Sequence, residues 1–105
     1  MDQNNLEKML EQGTDNALLR YTLGTLFLKQ GDFLKAVAQL TEAVKMDEQH
    51  SASWKHLGKA LVGVERVKEA ADAYRKGIEI AEAKGDVQAA KEMKIFLKRL
   101  DSQST

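Results

Sequence analysis

The sequence predicts an all-α fold of about six helices, built from antiparallel hairpins stacked in line. Three observations carry that expectation. Leu23-Gly24 and Leu57-Gly58 stand thirty-four residues apart, and Ala36 and Ala70 share the interval, so one small unit is written twice. Proline and cysteine are absent, and 43% of the 105 residues are hydrophobic while only 6% are aromatic, a mix rich in good helix formers. Apolar residues recur at steps of three and four and break off at glycines.

Each element follows in order along a single domain, 1–105. Residues 1–12 read as half a unit, because Leu6, Met9 and Leu10 precede Leu40, Ala43 and Val44 by thirty-four positions, and Gly13 ends the helix. The first full unit covers 15–48. Thr14-Asp15 serves as an N-cap pair, and Leu19, Leu23, Leu26, Phe27 and Gln30 trace the stripe that follows. Gly31 takes the left-handed conformation that stops this helix, and Asp32 caps the next. There Phe33, Ala36, Val37, Leu40, Ala43 and Val44 form one apolar face. A link this short makes the two helices an antiparallel hairpin.

The second unit, 51–84, repeats the layout with Trp54, Leu57, Gly58 and Leu61, then Val67, Ala70, Ala71, Tyr74, Gly77, Ile78 and Ala81. Gly24, Gly58, Ala36 and Ala70 are small where helix axes must approach closely. Beyond it the interval slips. Thirty-four would bury Lys91 and Glu92, whereas thirty-six places Ala90, Met93, Leu97 and Leu100 on Trp54, Leu57, Leu61 and Val64. The helix from Val67 therefore runs to about Lys84, Gly85-Asp86 turns the chain, and 86–100 forms a capping helix. Residues 101–105 read as a frayed polar tail.

Charge and composition narrow the function classes. Sixteen Lys and Arg balance sixteen Asp and Glu, which argues against a general nucleic-acid binder. The balance is uneven: 1–50 carry a net of three negative charges and 51–105 a net of three positive ones. No apolar run is long enough to cross a bilayer. The polar start, Met1-Asp2-Gln3-Asn4-Asn5, lacks the pattern of a secretory signal, so the expected location is cytoplasmic.

No constellation of residues points to catalysis or to a metal or other cofactor. His50 and His56, the two histidines, are six apart rather than the three or four that share a helical face, and both read as solvated. No phosphate loop, nucleophile elbow or metalloprotease helix is present, and the carboxylates are interspersed with lysines as on a wet helix face. An enzyme is not expected.

The joint spacing resembles the tetratricopeptide repeat family. Trp54, Leu57, Gly58, Leu61, Ala70, Tyr74 and Gly77 match its signature in the second copy. Leu23, Gly24, Phe27, Ala36, Leu40 and Ala43 match in the first, where Arg20 stands in for the large aromatic. Glu48 and Glu82 occupy the places of the usual junction proline, and Glu65 that of Gly31. The resemblance implies a right-handed superhelix whose first helices line a concave groove that holds segments of partner proteins, as an adaptor or co-chaperone would.

Helical register then places Tyr21 and Thr25, Lys55 and Lys59, and Lys91 and Ile95 in that groove, with Leu18, Leu28 and Val62 nearby. Three lysines facing Tyr21 predict a preference for an acidic or amphipathic segment. The competing expectation is a homodimer through the terminal helix, using Met93, Phe96, Leu97 and Leu100. Partners are thus expected to be proteins, with no nucleic acid and no membrane, on a monomer or weak homodimer.

Overall fold

A computed structural model describes residues 2–103, with the side chain of Gln103 excepted, and contains six helices and no strand among them. They are α1 (Gln3–Glu11), α2 (Ala17–Lys29), α3 (Phe33–Met46), α4 (Ser51–Gly63), α5 (Val67–Ala83) and α6 (Val87–Gln103). Each packs on its successor, forming a right-handed superhelix of antiparallel pairs. Stacking in one direction makes the molecule elongated, 44 × 29 × 19 Å.

Local chemistry sets the helix ends. Asp2, Asn16, Asp32 and Asp86 each accept a hydrogen bond from the backbone N–H three residues on, at 2.9, 2.8, 3.3 and 3.1 Å. The cap of α2 is therefore Asn16 rather than the expected Thr14-Asp15 pair. Asp15 instead takes a forked pair of bonds from Arg20, at 2.8 and 2.9 Å. Arg20 also donates to Gln39 on α3 at 3.0 Å, so it joins both helices of the hairpin to the turn before them. Trp54 has a similar task in the second unit, where its indole N–H donates to the Glu48 carbonyl at 2.8 Å.

Asp47 provides the turn that a proline would otherwise stiffen, its carboxylate accepting from the Gln49 N–H at 3.0 Å. No such residue interrupts the second unit. Glu82 stays helical and pairs with Lys94 at 2.8 Å, and α5 continues to Ala83. The extra length of α5 is the physical source of the slip from thirty-four to thirty-six. Gly85 ends the run at φ 76°. The structure extends α6 to Gln103, past Leu100, so Asp101–Gln103 are helical rather than part of a frayed tail. Residues 104–105 of that tail lie outside the described residues.

The core runs along the stack. Leu23, Gly24, Phe27, Ala36, Leu40, Ala43, Leu57, Gly58, Leu61, Ala70, Tyr74 and Gly77 are buried, and Trp54 is half-buried. Two contacts recur with the repeat. A Cβ on Gly24 would stand 2.7 Å from Leu40 Cδ2, and one on Gly58 would stand 2.7 Å from Tyr74 Cδ1. Neither clash leaves room for a methyl group, so the missing side chains allow α2 onto α3 and α4 onto α5. Gly77 does the same between α5, Met93 and Trp54. At the C-terminal end, Met93 and Leu100 are sealed in the chain's own core, with Phe96 and Leu97 packed against it. Of the four residues expected to seat a second copy, two are thus buried within the chain and two are half-buried.

Glu65 occupies the Gly31 position and adopts the same left-handed backbone, at φ 62° against 78° for Gly31. A side chain there costs about 1 kcal/mol. Replacing Glu65 with Gly is expected to raise stability by about that amount, read as a higher urea midpoint. A lower midpoint would show that the Glu65 side chain contributes more than its backbone costs.

Candidate partner-binding groove

The first helices of successive units lie side by side, α2 against α4 and α4 against α6, and their shared face is the candidate groove. At the α2–α4 seam, Tyr21 bridges the two helices. Its ring meets His50 edge-on at 4.8 Å between centroids and His56 at 5.5 Å, both at 87°. Burial raises the pKa of the Tyr21 hydroxyl, which keeps it a neutral donor. Thr25, one turn on, spends its hydroxyl on the Thr22 carbonyl at 2.9 Å.

The histidines are not the solvated pair that their spacing implied. His50 sits at the N-cap of α4 with Nδ1 2.7 Å from Ser53 Oγ, and Ser53 is buried. His56 Nδ1 lies 2.7 Å from the Ala52 carbonyl, which can only accept, so Nδ1 carries the proton in the neutral ring. Burial lowers the pKa of His56, and Lys55, Lys59 and His50 push the same way against the Ala52 bond. Nothing in the sequence period marks this cluster, because Tyr21 reaches the histidines from another helix.

At the α4–α6 seam, the two groove lysines have different partners. Lys55 pairs with Glu92 at 3.3 Å, so its charge is neutralised within the fold. Lys59 lies over the Phe96 ring at 5.1 Å, and the Arg99 guanidinium lies 5.9 Å from the same centroid. Glu92, Phe96 and Arg99 share the side of α6 that turns toward α4. Lys91 and Ile95 are exposed on the other flank, and Lys91 lines a cavity of about 400 Å³ with Glu82, Val87 and Lys94. The structure thus brings together Tyr21, Lys55 and Lys59 of the expected set, with Thr25 a turn away, and adds His50, His56, Glu92, Phe96 and Arg99. It does not bring Lys91 and Ile95 to that wall. The wheel separates them clearly: Lys91 is a full residue step, about 100°, from Glu92.

Among the described residues no three His, Cys, Asp or Glu side chains converge as a metal site would require, and no helix is long and apolar enough to cross a membrane. What the face offers is half-buried rings, neutral donors and cations.

A stacked array of such hairpins with its first helices side by side defines a helical-repeat scaffold. The tetratricopeptide repeat profile matches residues 21–87, and the chain belongs to that family. A TPR repeat-containing protein of Pseudomonas aeruginosa is 45% identical over 100 residues, covering 95% of each chain. The solution structure of a Bordetella parapertussis protein superposes with a TM-score of 0.83 at 40% identity, covering 98% of this chain and 90% of that one. The crystal structure of a tetratricopeptide repeat domain protein from Salinibacter ruber gives 0.76 at 27% identity, covering 84% and 98%. Proteins of this family are generally protein-interaction modules, and their fold is typically a non-enzymatic scaffold.

The buried state of His56 has a consequence for pH. Its folded pKa is lowered from 6.5, so the unfolded chain takes up the proton first as pH falls. Stability is therefore fully present above that value and declines as pH drops below it. Between about pH 7.5 and 5, above the range of the paired carboxylates, the urea midpoint is expected to fall more in the native chain than in His56→Gln. Equal falls in both proteins would assign the loss to another group.

Proposed function

We propose that this chain is an adaptor or co-chaperone module that holds an acidic or amphipathic segment of another protein in the groove formed by α2, α4 and α6. The supporting observation is the pair of cations, Lys59 and Arg99, flanking the half-buried Phe96 ring on that surface. Apolar surface beside cationic groups favours a segment with apolar residues and carboxylates, and disfavours a basic one by like-charge repulsion. Tyr21 extends the apolar strip to α2, and neutral His56 adds no repulsive charge for basic sequences or attraction for acidic ones. Charge discrimination therefore falls to the α4–α6 side.

Titrating the ¹⁵N-labelled chain with an acidic amphipathic peptide and with its Lys-substituted counterpart tests this reading. The acidic peptide is expected to shift amides around Tyr21, Lys59 and Phe96, with the basic one binding at least tenfold more weakly. Shifts confined to the outer faces of α3 and α5 would end the groove assignment.

A further inference from the structure

The α4–α6 seam changes character along its length. Toward the N-termini, Glu92 neutralises Lys55. One turn further on α4, Lys59 meets no carboxylate, and among the described residues neither Lys59 nor Arg99 forms an ion pair. Both instead share the Phe96 ring and, with Val62, Tyr74 and Leu100, line a cavity of about 210 Å³ that no acidic side chain borders. That is below the ~300 Å³ at which whole small-molecule sites begin, and suits a single side chain.

The floor of the cavity adds a second feature. Tyr74 backs Phe96 at 5.7 Å between ring centroids and is itself 2% exposed. Among the described residues its hydroxyl has no hydrogen-bond partner, although every fully enclosed side-chain N or O atom there has one. The hydroxyl therefore opens into the cavity it lines. Burial pushes its pKa up to about 12, so it remains protonated and able to donate. The walls are apolar, the floor presents a hydroxyl, and the mouth carries two cations without a counter-charge.

We propose that this cavity is the anchor of the groove: it takes one Leu- to Phe-sized partner side chain flanked on both sides by Asp or Glu, which pair with Lys59 and Arg99. A free chain end brings one carboxylate and leaves one of the cations, which stand on different helices, without an anion. Acids on either side of the inserted residue meet both. The anchor rests on the groove reading above and refines it to one position and one local sequence chemistry.

A short synthetic peptide with a Glu-Phe-Asp core in a Ser/Gly background, titrated into the ¹⁵N-labelled full chain, is the probe. Controls carry Gln-Phe-Asn or Glu-Ser-Asp cores, or end in Ser-Phe with the free terminal carboxyl as their sole acid. The first peptide is expected to shift the amides of Lys59, Val62 and Phe96, and each control to bind at least fivefold more weakly. Lys59→Gln and Arg99→Gln should each weaken it by roughly threefold to fivefold, the scale of one exposed ion pair, and added salt should do likewise. Shifts limited to Tyr21, Thr25 and Leu28, with both variants binding as the native chain does, would overturn the anchor and leave the groove standing. No binding by any of these peptides, or shifts on α3 and α5 alone, would overturn both. Equal binding of the free-end control would overturn the requirement for acids on both sides.

Discussion

Two missing side chains control the geometry of this protein. At Gly24 and again at Gly58 the helix surface is notched, and the bulky residue sixteen positions later, Leu40 or Tyr74, fills the notch. Bare backbone at that point permits side-chain-to-backbone contact within each hairpin, and so draws α2 onto α3 and α4 onto α5. Because both hairpins close in the same way, their first helices emerge side by side.

The seams of the candidate groove divide the chemical work. Between α2 and α4, Tyr21 and two half-buried histidines make a polar-edged aromatic strip. Between α4 and α6, one lysine is neutralised by Glu92 while the next is left beside Phe96 and Arg99. Tyr74 ties the two roles together. Its ring fills the Gly58 notch, and its hydroxyl end continues into the cavity beside Phe96. The residue that sets the helix spacing thus also forms the floor of the proposed anchor, so the depth of that cavity is fixed by core packing.

The helices were legible in the sequence because their signals are local. Asp32, Gly31 and Gly85 act on the few residues beside them, and the apolar steps of α3 and α5 reflect a single buried face. Even the slip to thirty-six could be found, since burying Lys91 would cost more than shifting the register. Three things were less accessible. Asn16 took the cap because Arg20 had already engaged Asp15, a competition that spacing does not express. His50 and His56 read as solvated since their cover, Tyr21, comes from α2. On α6 the residues that meet Lys55 and Lys59 are Glu92, Phe96 and Arg99, while Lys91 and Ile95 stand exposed on the other flank; spacing fixes the buried stripe but not which flank of a helix meets its neighbour.

The interlock at the notch is tested most directly by a double-mutant cycle between Gly24→Ala and Leu40→Ala, with stability read from urea unfolding. A methyl on residue 24 should cost about 1–3 kcal/mol alone by overpacking, and truncation of Leu40 about 2–5 kcal/mol. With Leu40 shortened the added methyl gains space, so the double variant should be more stable than the summed losses by about 1 kcal/mol or more. Additivity to within roughly 0.5 kcal/mol would mean that residues 24 and 40 do not limit each other, and the notch would not be what sets the spacing of the helices.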